Sequence, residues 1–438
     1  MERLIKATSE LAKALTAAGA SGTALQPEDL EPALVEELLR LQPLLQLMPI
    51  KQGKGRVHEI VRRAAHGAAA FEGEMVDNRA GAVASTYDRP TVTLQPLHYW
   101  GAVSGFQRAA SPRFIDSLVA EQKAGVEAMS NQAEFAILWG ASADAYTPDG
   151  LDRLIVTNII DHNAVVTLKL LDDMIDAATG FRGADKDPAI FIASKGMVSK
   201  ISGLQTLARR EVQTVEFEGG FRMTLYRGYP ILETDYVKPS AQAPANLAAA
   251  IGAGGSLPAG VYRYQVAAVY ENGEQRAAAE VNCTSAGAPG NATANLTWDA
   301  DANALLYKIY RSDVGGGAGT AYLYTTIAGK TRDGDGKITG NVVAWSDTAN
   351  LTRPSGAASE VPLATGHENL FFVNLNPEDR GASVVSLIDP LGQQVDNLVT
   401  FIELGRTRAS YDFLLESLMA VQVPWERLHA HARRVKIA

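Results

Sequence analysis

Three acids, Glu72, Glu74 and Asp77, stand together in Phe71-Glu-Gly-Glu-Met-Val-Asp77. Two such carboxylates could divide general acid and base work if burial or a neighbour separated their pKa values. No helix, pocket or partnered base is legible around this Gly- and Ala-rich stretch, so solvated loop charge is the plain reading. His429 and His431 form the one close pair among seven histidines, and a spacing of two aligns poorly on a helix for a metal clamp. Thr331-Arg-Asp-Gly-Asp-Gly-Lys-Ile-Thr339 sets Asp333, Asp335 and Gly336 at the third, fifth and sixth positions of a calcium loop. Thr331 and Val342 then fall where carboxylates are needed, so a turn is expected instead. Gly252-Ala-Gly-Gly255 lacks the following Lys-Ser/Thr of a phosphate loop and reads as linker. The single cysteine, Cys283, allows neither an intrachain disulfide nor a zinc cluster. The sequence thus predicts no catalytic, cofactor or metal site, and no enzyme.

The whole chain supports that restraint. Its 438 residues are enough for about two or three domains. With 46% hydrophobic and 20% charged residues it belongs to the ordinary globular class. A net charge of -9 argues against a dedicated nucleic-acid binder, because neutralising phosphates takes clustered Lys and Arg. The opening Met1-Glu-Arg-Leu-Ile-Lys predicts no signal peptide, and no run is long and apolar enough to span a bilayer.

Residues 1–50 read as helices with a thin apolar stripe, an arm that needs a neighbouring subunit to hold it. Residues 51–110 hold two β-patterned runs, Arg56 to Arg63 and Thr91 to Val103, which predict a long hairpin, marginal unless supported from outside. Ser111-Pro112 then supplies an N-cap and first-turn proline for one long helix up to Gly140, roughly 40 Å at about 1.5 Å per residue. From 150 to 240 helices (Asn163 to Ala177, Lys195 to Leu207) alternate with strands (Ala189 to Ala193, Val212 to Phe217, Phe221 to Leu225). After Pro239 the composition turns loose and linker-like through 256. Short alternating runs follow at Gly260 to Tyr270, Ala294 to Trp298, Leu306 to Arg311 and Ala321 to Ile327, the spacing of a β-sandwich. Residues 366–438 return to the earlier style.

This order of arm, long hairpin, rod-like helix, mixed domain and C-terminal strands resembles the tailed-phage major capsid fold named after phage Hong Kong ninety-seven. Gly228-Tyr229-Pro230-Ile231 looks like that family's corner motif. The resemblance implies an α+β fold with an N-terminal arm (1–50), an extended loop hairpin (51–110), a spine helix with the first part of the peripheral and axial domains (111–240), and their C-terminal part (366–438). Residues 241–365 resemble an inserted immunoglobulin-like or fibronectin type III sandwich, with Trp298 and Trp345 as expected core anchors. Such a block should fold alone, with Lys238 and His367 as near neighbours.

The implied function is a structural shell protein whose hexamers and pentamers enclose the double-stranded DNA of a tailed bacteriophage. Scaffolding, portal and decoration proteins are its implied partners, DNA is met only non-specifically, and no cofactor or membrane is involved. The implied location is the virion capsid, assembled in the host cytoplasm. Glu72, Glu74 and Asp77 are then candidates for pairing across subunits with Lys54, Arg62 and Arg63. An encapsulin compartment resembles the same fold, and a surface adhesin or enzyme carrying a fibronectin-like module is the alternative of a different class.

Overall fold

The computed structural model describes residues 43–67, 84–110, 117–179, 188–208, 212–216, 222–287, 292–348, 360–376, 381–387, 393–394, 398–407 and 410–437. Most of the expected arm and the stretch with Glu72, Glu74 and Asp77 lie outside the described residues. Among them no helix is long and apolar enough to cross a membrane.

A seven-stranded mixed sheet is ordered Ile159–Asp161, Ala430–Lys436, His367–Asn374, Ala189–Ala193, Tyr229–Glu233, Arg222–Tyr226, Gln213–Glu216. Its central strand Ala189–Ala193 is covered on both faces, which is why it reads as an unbroken apolar run. Ala189, Phe191 and Ala193 meet helices Leu168–Thr179 and Lys195–Leu207, while Ile190 and Ile192 face the core around helix Ser117–Trp139. Leu370 and Phe372 alternate with Phe371 and Val373 in the same way. Ser194 caps the helix that follows its strand, its hydroxyl oxygen accepting from the Met197 amide at 3.2 Å.

A second sheet is built on the long strand Ser410–Gln422, which pairs with Ser383–Leu387, Thr400–Thr407 and Gln95–Ser104. Helix Ser117–Trp139 crosses from this sheet to the first, about 35 Å at about 1.5 Å per residue. Contact with the second sheet depends on glycine: a Cβ on Gly125 would lie 2.7 Å from the Tyr99 ring and 2.8 Å from a Leu415 methyl. Residues 133–139 of the helix are buried all round. Among them Glu134 accepts a hydrogen bond from Thr234 at 3.0 Å, beside the short helix Pro43–Leu47. Burial pushes its carboxyl up to about 8, although the hydrogen bonds from Thr234 and from the backbone of Leu44 and Leu45 pull the other way.

Residues 241–365 carry a three-stranded sheet (Ala248–Gly252, Thr293–Thr297, Ala344–Asp347) and a five-stranded one centred on Gly260–Tyr270 and Leu306–Arg311. The two share a core of Tyr262, Tyr264, Val266, Leu296, Trp298, Tyr307 and Ile309. The chain enters and leaves this block at one place, where the Ser240 amide donates to the His367 carbonyl and the Gly366 amide to that of Ser240, both at 2.9 Å.

Several elements differ from expectation. Strand Ala248–Gly252 lies within the expected linker; Ile251 and Ala249 pack on the sandwich core, and tertiary pairing with Thr293–Thr297 outweighs the poor strand propensity of alanine. Gly252 therefore ends a strand, not a free linker. The helix expected from Asn163 starts at Leu168, because Asn163 has a φ of 44° and Val165 bridges to Lys436, leaving Thr167 to accept from the Leu170 amide. Gln95–Ser104 pairs with the long strand Ser410–Gln422 rather than extending the hairpin, and helix Gly105–Ala110 follows it. Trp298 is buried, while Trp345 is half-buried against Tyr324.

Two outcomes are expected. Replacing Gly125 by Val should pry the helix from the second sheet and lower unfolding stability by about 1–3 kcal/mol in denaturant titration; an unchanged midpoint would show that the contact yields freely. For Glu134, the native state retains a proton that the unfolded chain has released once pH exceeds its ordinary value of 4.5. Its contribution to stability therefore falls as pH rises from there to about 8, by about 1.4 kcal/mol per pH unit. Glu134→Gln should remove that dependence, so the stability difference between variant and parent should drift across this window and level off above it.

Candidate intersubunit surface and a buried charge cluster

The hairpin is rooted and then left to itself. Val57–Glu59 pairs with Thr91–Thr93, and Arg62–Ala65 with Thr86–Asp88. Leu94, with Val92, packs on Val385 and Ala420 of the second sheet at the root. Further out, Val61 and Tyr87 are 63% and 60% exposed. Arg62 forks onto Asp88, its Nε at 2.7 and 2.8 Å from the two carboxylate oxygens, and donates to the Pro424 carbonyl at 3.1 Å. Arg63 donates to the Tyr87 hydroxyl at 3.2 Å, with its guanidinium 5.5 Å from the ring centre. Lys54 is exposed in the turn after Ile50–Gln52. Lys54 thus stands at the root of the hairpin and Arg62 and Arg63 in its outer strand pair, where both arginines are already engaged by their own chain.

The histidine pair is buried. The His429 Nδ1 accepts from the Asn374 amide at 3.2 Å, and burial pushes its pKa down to about 3. His431 lies 3.1 Å from Asn369 through Nε2 and stacks on Phe371, ring centres 4.2 Å apart. Among the described residues no three His, Cys, Asp or Glu side chains are grouped to hold a metal. In the would-be calcium loop, Asp333 accepts from the amides of Asp335 and Lys337 at 3.1 and 2.8 Å, the bonding of a closed turn. The neighbouring Arg332 forks onto Asp144, at 3.1 and 2.7 Å, beneath the Tyr146 ring.

Sequence reasoning missed the most concentrated charge in the molecule. Lys308 reaches Asp152 at 2.6 Å, Glu274 at 3.0 Å and Glu360 at 3.6 Å. Arg433 donates to Glu360 at 2.7 Å, Glu274 at 2.8 Å and the Tyr310 hydroxyl at 3.1 Å, with Asp152 at 3.5 Å. All five charged groups are buried. Burial alone would lower the Lys308 pKa, but Asp152 and Glu274 outweigh it and hold the ammonium charged. An amine nucleophile needs the opposite shift, so the cluster is an ion-pair network and not a reactive lysine. The one sequence signal was a lysine set among strand apolar residues in Leu306-Tyr-Lys-Ile-Tyr310; its partners lie too far along the chain to be read.

No family model matches the sequence, and no curated protein matches it. Solved structures do. The SrpI encapsulin of the holo complex from Synechococcus elongatus PCC 7942 is similar with a TM-score of 0.54 and 11% identity, covering 97% of this chain and 98% of that one. A chain of the capsid asymmetric unit of cyanophage A-1(L) is similar with a TM-score of 0.51 and 10% identity, covering 94% and 98%. At such identities the likeness is one of fold: the chain has the α+β fold of the tailed-phage major capsid proteins, the Hong Kong ninety-seven type.

Proposed function

We propose that this chain is the structural subunit of a closed icosahedral shell, the major capsid protein of a tailed bacteriophage. The observation that carries the reading is the fold likeness to a cyanophage capsid chain over 94% of the sequence. The hairpin supports it, since a two-stranded ribbon is marginal alone and its outer apolar residues gain cover when it lies on another copy. Copies of the chain in hexamers and pentamers are its main partners, with scaffolding, portal and decoration proteins as further ones. In this reading the protein assembles in the host cytoplasm, resides in the virion and does no catalysis. Its excess of acidic residues suits a wall that must release the DNA it encloses.

A cellular enzyme compartment is the second reading, favoured by the TM-score of 0.54 to an encapsulin. The two differ in contents rather than in wall.

Electron micrographs of the protein purified from an expressing cell should show hollow, roughly icosahedral particles or capsomers. A stable, folded monomer under every assembly condition counts against both readings. Particles recovered from the native source should carry double-stranded DNA if the chain is a capsid, and packaged protein if it is a compartment. Changing Glu72, Glu74 and Asp77 together to Lys should lower particle yield or heat stability while leaving the circular dichroism of the free subunit unchanged. Particles of parental heat stability would remove these acids from the intersubunit contacts.

A further inference from the structure

The inserted block does not merely hang from its two ends. Each of the host charges in the buried cluster has its nearest partners in the insert: Asp152 meets Lys308, and Arg433 meets Glu274 and Glu360. A second fork joins Arg332 of the insert to Asp144 of the host. Asp144 lies just past the end of helix Ser117–Trp139 and Asp152 in the short helix Leu151–Leu154 that follows, whereas Arg433 lies in the seven-stranded sheet. Apolar packing follows the same line. Val269 and Leu306 belong to the core that holds Trp139, Ile192 and Phe371. Gly273, at a φ of 110°, rests on the Trp139 indole, where a Cβ would come within 3.0 Å of the ring. That indole donates in turn to the Tyr236 carbonyl at 2.9 Å.

We infer that the insert is an internal clamp, which holds the end of the long helix and its following loop against the seven-stranded sheet. Buried ion pairs suit this task better than apolar contact, because they accept one geometry and penalise every displaced one. A sheet slid by one residue would leave Arg433 and Lys308 charged and unmatched in the interior. The inference rests on these contacts and not on the shell reading.

Hydrogen exchange on the full-length protein tests it. In the parent, amides of the loop 141–155 should be as protected as those of the sandwich strand Leu306–Arg311. Lys308→Met should speed exchange in the loop by tenfold or more while Gly260–Tyr270, which packs in the sandwich core, stays protected. Loop exchange at the parental rate in a folded Lys308→Met protein overturns the clamp. Should that variant not fold, Arg332→Ala, at the more exposed fork, decides. Exchange several-fold faster across 141–150, with Gly260–Tyr270 unchanged, supports the inference, and an unchanged rate overturns it.

Discussion

The seven-stranded sheet and the second sheet are joined by the helix Ser117–Trp139, which has to satisfy both with one surface. Its first half can approach the second sheet only because Gly125 has no side chain between Tyr99 and Leu415. Its last turns have no solvent face at all, so even the one acid there, Glu134, is enclosed with its hydrogen bonds. A helix buried all round at one end cannot shift without disturbing both sheets, and core packing transmits such shifts rather than absorbing them.

Much of this architecture was legible in the residues. Strand Ala189–Ala193 and helix Lys195–Leu207 could be bounded from an apolar run and helical spacing. Gly260–Tyr270 and Leu306–Arg311 could be bounded from alternation. The long strand Ser410–Gln422 could not: Leu414, Leu415, Glu416, Leu418, Met419 and Ala420 are all good helix formers, and only pairing with three partner strands makes them extended. Its inward alternation of Phe413, Leu415, Ser417 and Met419 was present but masked by those residue types.

The candidate site divides in the same way. Basic residues on the hairpin announce themselves because they are close in sequence and stand on a polar ribbon. The buried cluster brings together Asp152, Glu274, Lys308, Glu360 and Arg433 from five separate parts of the chain, and apart from Lys308 among its strand apolar neighbours no local pattern distinguishes its members from surface charge. Two cations face three carboxylates there. Enclosing them costs desolvation free energy that well-packed apolar side chains would avoid, so the cluster is not by itself a source of net stability.

The pair of backbone hydrogen bonds between Ser240 and the stretch at His367 closes residues 241–365 into a loop whose two ends meet. The entropy of closing a loop grows only with the logarithm of its length, about 0.6 kcal/mol per doubling. A full sandwich at this point therefore costs only about 3 kcal/mol more in loop-closure entropy than a turn of about four residues. Any exchange of residues 241–365 for another connection would strand Arg433 and Asp152, whose nearest charge partners lie within them, so those two residues would have to change along with it.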